Sequence, residues 1–488
     1  MMGSRVVVAV VAVVVVAAVV GLSGCVFYLD PQCNDQIRNG DETGLDCGGR
    51  CKRCNIGDSC KSDNDCDDSS CTRGTCTAFP CADGVQDGQE TDVDCGGGSC
   101  RKCAGGRGCG ADADCFGGRC VGGACAALAT VAFADAVAYP SGDKTYALFS
   151  GDLDGDGTID LAAANEQASS IAVFLNDGAG NFQRKVTPYP TDAYPTGGVL
   201  ADFNHDGVLD VVTANYHGDS VSVLLNQGGG ALAAQSSYLT VTGGETSNLA
   251  VGDLNGDGNL DVIATNPKTA SISVFLGHAD GTLDPAVTSV VGIVGDAQPF
   301  SAGIGDFDGD GKADVAIGDL VNGPILVKLG RGDGTFGPEL VYGTGSTGPH
   351  LLITTDINLD GRLDLVTANR GGDDVSVLLG RGDGTFGKAL VSSTRAASGA
   401  GIGPYSIAVA DFNLDGVPDV VTANFMSNNA SVLLGVGDGR FDAAIDAGPT
   451  GLFSYGAIAG DLNGDGVPDF ATANASSNNV TVKLSTAH

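Results

Sequence analysis

Seven nine-residue stretches of this sequence concentrate oxygen ligands at fixed positions. Each has Asp first, Asp or Asn third, Asp fifth, Gly sixth and Asp ninth. The sets are Asp152, Asp154, Asp156 and Asp160; Asp202, Asn204, Asp206 and Asp210; Asp253, Asn255, Asp257 and Asp261; Asp306, Asp308, Asp310 and Asp314; Asp356, Asn358, Asp360 and Asp364; Asp411, Asn413, Asp415 and Asp419; Asp461, Asn463, Asp465 and Asp469. Residues of this kind suit a hard cation, and Ca2+ takes about six to eight oxygens at ~2.3–2.6 Å. Three side chains surround one turn, the Gly permits the bend, the seventh residue offers its carbonyl and the ninth closes the set. The expectation is about seven structural Ca2+ ions. Asp and Gly are also ordinary turn formers. A turn needs only one or two of them, however, and three or four carboxylates aimed at one point repel one another without a cation.

The elements that must hold these loops repeat with them, at spacings of 50, 51, 53, 50, 55 and 50 residues. A short apolar strand enters each loop, as in Ala147-Leu-Phe-Ser150. A second leaves it, as in Leu209-Asp-Val-Val-Thr-Ala214, and runs to an Asn that recurs as Asn165, Asn215, Asn266, Asn369, Asn424 and Asn474. A third alternates, as in Val375-Ser-Val-Leu-Leu379, and a Gly-rich turn leads to a fourth. A period near fifty with four strands per unit predicts an all-β fold, a seven-bladed β-propeller with four-stranded blades. The seventh unit stops after its third strand, Val480-Thr-Val-Lys-Leu484. Phe133-Ala-Asp-Ala-Val-Ala-Tyr139 is written like the missing fourth, so it is expected to close the ring and remove the free edges. The twelfth position, where an EF-hand places Glu, holds Ala163, Thr213, Ala264, Ile317, Thr367, Thr422 and Thr472. The repeat over residues 128–488 resembles the FG-GAP/VCBS blade of integrin α-chain propellers and secreted bacterial proteins. That resemblance implies a calcium loop set in a β-hairpin.

Residues 1–24 read as a signal peptide, with Arg5 ahead of the Val/Ala run Val6–Val20, a run short for a membrane span. Leu22-Ser23-Gly24-Cys25 resembles the lipobox of bacterial lipoproteins, which implies lipidation at Cys25, a lipidated tether over 25–32 and a membrane anchor. An exported protein at the outer membrane or cell surface of a Gram-negative bacterium is expected. The other sixteen cysteines lie between Cys33 and Cys125 in two matching sets of eight, giving modules over 33–79 and 80–127. Cys51-x-x-Cys54 and Cys100-x-x-Cys103 are compatible with zinc, but so dense a set in an exported chain reads as a disulfide framework.

A formal net charge of −34 excludes a nucleic-acid partner. Among the five histidines, His205 stands inside a loop as a spacer, and no Ser-His-Asp order or Gly-x-Ser-x-Gly elbow appears. Arg331-Gly-Asp333 and Arg381-Gly-Asp383 are explained by the turn they sit in. The reading is therefore a non-enzymatic binding or adhesion module for a protein or polysaccharide. A calcium-dependent polysaccharide lyase or hydrolase and a structural spacer remain as alternatives. Six residues before the loops stand Tyr146, Thr196, Ser247, Phe300, His350, Tyr405 and Tyr455. The ends of these entry strands are expected near the axis on the face away from the loops. Tyr146, Phe300, His350, Tyr405 and Tyr455 are the candidate ligand-face residues, unless they merely plug the channel mouth.

Overall fold

A computed structural model of the chain describes residues 69–72, 75–78, 108–111, 114, 120–125, 130–185, 188–292 and 297–486. The signal peptide over 1–24, Cys25, the tether and most of the cysteine-rich stretch lie outside the described residues. The chain divides into two compact units, residues 1–88 and 89–488. In the first, Ser69–Thr72 pairs antiparallel with Thr75–Ala78. In the second, Cys109 and Cys120 form a disulfide with Cα atoms 5.9 Å apart, and seven antiparallel sheets follow.

Each sheet is a blade, and in the first six the strands pair in chain order from the inside outwards. Blade 2 is typical, with Pro195–Ala201, Asp210–Asn215, Ser220–Leu224 and Ser236–Leu239. The inner strands of successive blades touch, and that of blade 7, Ser454–Gly460, returns to that of blade 1, Thr145–Gly151. Blade 7 takes its fourth strand, Val137–Pro140, from the start of the propeller: Val480 faces Tyr139 and Val482 faces Val137. Phe133 extends the seam, its ring 4.8 Å from that of Phe470 and 5.9 Å from that of Phe412. The ring therefore closes where the sequence expected.

The core lies between blades. Seven apolar clusters each draw on two adjacent blades, such as Phe203, Val223, Val262 and Phe275 between blades 2 and 3. The second strand of every blade is buried at all six positions. The third strand differs from a simple half-exposed strand: Ser220–Leu224 and Asn429–Leu433 are buried throughout. Blades stack on both of its faces, so the alternation is between large apolar and small polar side chains. Ser376 and Ser431 accordingly donate to the backbone carbonyls of Thr344 and Thr394, at 2.8 and 2.9 Å.

Candidate metal centres and the opposite face

The seven loops join first to second strands on one end of the ring. Within each, the first Asp folds the chain round itself. In loop 1, Asp152 Oδ2 accepts the Gly157 N–H at 2.8 Å and Oδ1 accepts that of Gly155 at 2.7 Å. The sixth-position bond recurs in all seven loops, ending at Gly466 donating to Asp461. Gly157 adopts φ +87°, as the bend requires. His205, Leu359 and Leu414 occupy the fourth position with φ between +56° and +61°, a left-handed conformation that costs a non-glycine residue about 1–2 kcal/mol. The His205 ring is exposed and its Nε2 lies 3.3 Å from Asn259 Oδ1 of the next loop, which agrees with a spacer role.

The donor sets fit a hard cation. Carboxylate oxygens of Asp152, Asp154 and Asp156 lie within 4.8 Å of one another, as do those of Asp306, Asp308 and Asp314. Asp310 instead meets Lys312 at 2.5 Å. In the five loops with Asn at the third position, the Asn amide donates to the fifth Asp, as from Asn204 to Asp206 at 2.9 Å.

The ninth Asp has a second task that the sequence did not reveal. All seven are fully buried. One oxygen of each accepts the N–H of the loop's second residue, and the other accepts an N–H sixteen residues on, beyond the third strand. For Asp160 these donors are Leu153 at 2.9 Å and Asn176 at 2.8 Å. For Asp469 they are Leu462 at 3.0 Å and Ser485 at 2.6 Å. Burial pushes the carboxyl up to about 6 in Asp160 and Asp364 and to about 7 in Asp419 and Asp469, against the backbone bonds that hold it down. Asp210, Asp261 and Asp314 move up for the same reason. Lone pairs remain on both oxygens for a cation, so each ninth Asp can bolt the loop and close a metal site together.

The loops also join blades. Leu153 O accepts from Gly230 N–H and Asn226 Nδ2 of blade 2, at 2.9 and 2.8 Å, and Leu462 O accepts from Asn176 Nδ2 of blade 1 at 2.8 Å. The recurrent Asn has a structural part as well. Asn215 Nδ2 donates to Ser220 and Ser222 at 3.1 and 2.8 Å, pinning the hairpin that follows.

At the other end of the inner strands, Tyr146, Thr196, Ser247, Phe300, His350, Tyr405 and Tyr455 all line one axial cavity of about 120 Å³. The rings pack on one another. Tyr146 stacks on Tyr455 with centroids 4.5 Å apart, Tyr405 meets Tyr455 at 4.4 Å and Phe300 meets His350 at 4.2 Å. The Tyr146 and Tyr405 hydroxyls are hydrogen-bonded. His350 and Tyr405 are buried, while Tyr146, Phe300 and Tyr455 are partly exposed. Burial, then the nearby Arg370, holds the His350 imidazole well below its ordinary value, so it is neutral. Large apolar side chains exposed on the turns and connections of this face include Val321, Met426, Leu452 and Phe453. They stand on turns and carry no periodic signal that reading the strands would find.

An FG-GAP-like repeat profile matches residues 152–213, 202–264, 255–317, 356–422 and 411–472, together more than half of the chain. No curated protein matches it. Among solved structures, the chain is similar to a lectin of Agrocybe aegerita described as recognising non-reducing terminal N-acetylglucosamine. That likeness has 22% identity, 68% of this chain and 86% of that one covered, and a TM-score of 0.48. It is also similar to virginiamycin B lyase from Staphylococcus aureus, with 12% identity, 72% and 99% covered and a TM-score of 0.49. The five overlapping profile matches together span all seven loops whose geometry is described above, and on that ground the chain belongs to the FG-GAP-like repeat family.

Proposed function

We propose that this protein is a calcium-stabilised, non-enzymatic binding module, exported and held on the outer membrane or cell surface by a lipid on Cys25. The observation that carries the calcium reading is the sevenfold recurrence of one oxygen-rich loop with a buried Asp at its end. Calcium held by the first, third, fifth and ninth residues would supply positive charge where several carboxylates crowd. The loops share one design, which supports a structural part for the metal. The face opposite the loops, with its aromatic cluster, is the surface offered to a protein or glycan.

Melting the full chain in calcium and in a chelator tests the metal reading. At free calcium about ten times Kd, each site adds ~1.4 kcal/mol, or ~10 kcal/mol for seven independent sites. Over the ~350 residues of the propeller that is about 10–15 °C. Equal melting temperatures would sink it. Glycan and protein arrays, read for both capture and turnover, test the binding reading, and turnover of a polysaccharide would replace it with the lyase or hydrolase alternative.

A further inference from the structure

Four cations stand on the turns and connections of the face opposite the loops: Lys144, Lys268, Arg370 and Arg395. Three are paired, Lys144 with Glu166, Lys268 with Glu245 and Arg395 with Asp373. Among the described residues, Arg370 is in no ion pair, in a chain with 59 acidic residues. Its guanidinium lies instead over the Phe425 ring, 4.8 Å from the centroid, and 5.7 Å from that of Tyr405. Such stacking holds the plane of the group while its N–H fork remains suited to a planar anion.

Phe425 in turn stacks on Phe453, centroids 4.8 Å apart at 23°, and lies 5.0 Å from Tyr455. Phe453 is 41% exposed although its φ is +56°, a conformation that is costly for a bulky residue. The neighbouring blades hold it there. Its N–H donates to Asn428 Oδ1 at 2.7 Å, and its carbonyl accepts from Ala475 N–H at 3.0 Å. Leu452 is fixed likewise, its N–H on Ser477 Oγ at 2.7 Å and its carbonyl on Ser476 N–H at 3.1 Å. An apolar patch on hydrogen-bonded backbone thus stands in water one ring, that of Phe425, from a guanidinium with no ion pair among the described residues.

We infer that this corner is a subsite for an acidic saccharide, its carboxylate on Arg370 and the C–H face of its ring on Phe453. This rests on the reading of this face as the binding face. The cation calls for an anion, and its planar fork can hold a carboxylate by two parallel N–H···O bonds. The net charge of −34 repels polyanions at long range, which selects a ligand with a single carboxylate over a polyuronate or an acidic peptide. The backbone around the patch is already hydrogen-bonded, so an added peptide strand finds no open ladder.

Isothermal titration of the full chain in calcium decides it. The probes are a disaccharide ending in glucuronate, the same disaccharide ending in glucose, and a peptide with a free C-terminal carboxylate. The acidic sugar is expected to bind at least ~10-fold more tightly than the neutral one. Arg370→Gln should abolish that preference, and Arg370→Lys, which keeps charge without the fork, should retain only part of it. Phe453→Ala should weaken both sugars alike. Melting of Arg370→Gln monitors the fold, and should it be lost the Lys variant carries the test. Equal affinity for the two sugars, a preference that survives in the folded Arg370→Gln variant, tighter binding of the peptide, or no binding of the acidic sugar by ~10 mM each overturns the assignment. A ligand captured on the arrays that binds the loop face would sink the broader reading, whereas the titrations and the Arg370 variants bear on this subsite alone.

Discussion

The buried Asp at the ninth loop position separates a ligand from a structural bolt. Asp419 is fully buried and accepts the Phe412 N–H at 2.8 Å and the Gly435 N–H at 2.7 Å. Asp419→Asn keeps the shape but leaves one oxygen for two donors, so one buried N–H faces an amide group. An unsatisfied buried donor costs about 1–3 kcal/mol. Loss of a buried charge returns part of that, so the net destabilisation is ~2 kcal/mol at pH 8. With ~2.1 cal/mol/K per residue over ~350 residues, this is a fall of about 3 °C in Tm. Asp415 is the control, being partly exposed and bound to its own turn through Val417 N–H at 2.8 Å. Calorimetry in chelator should show Asp419→Asn melting about 3 °C below the parent and Asp415→Asn within ~1 °C of it. In calcium both should lose stability. If Asp419→Asn melts with the parent in chelator, the residue is a ligand only and the reasoning fails.

The raised carboxyls also set a pH dependence. In the folded state Asp160, Asp364, Asp419 and Asp469 hold protons up to about 6 or 7, above their unfolded value, so their contribution to stability falls as pH rises through that range. Chelator-treated protein is therefore expected to melt higher at pH 5 than at pH 8, by roughly 1 kcal/mol per loop after allowing for solvent screening, with calcium narrowing the gap; a higher Tm at pH 8 in chelator would contradict this. Deleting residues 130–140 removes the strand on Val480 and Val482 together with Tyr139, which meets Phe182 at 5.6 Å. The truncated chain should lose more than 10 °C or aggregate through the opened edge, and a melting curve like the parent's would refute closure by this strand. Leu359→Gly relieves an exposed left-handed residue and should stabilise by up to ~1 kcal/mol in denaturant unfolding, and a loss of stability would show that the Leu side chain packs usefully.

Much of this protein is determined locally and was therefore legible. Strand periodicity, the Asp-x-Asp/Asn-x-Asp-Gly pattern and the count of seven depend on residues a few positions apart, and the truncated seventh unit pointed to residues 133–139 as its missing strand, where the structure pairs Val137–Pro140. The tertiary structure decided what joins residues about fifty positions apart on different blades, because the sequence carries no record of how one blade meets the next. The small polar residues of the third strand are buried by neighbouring blades, and Leu153 O is satisfied from blade 2. The aromatic residues six places before the loops close on one another, Tyr146 of blade 1 with Tyr455 of blade 7, instead of standing free. Arg370 and Phe425 are 55 residues apart and no motif links them; they meet because the turns of blades 5 and 6 come together at the mouth of one channel.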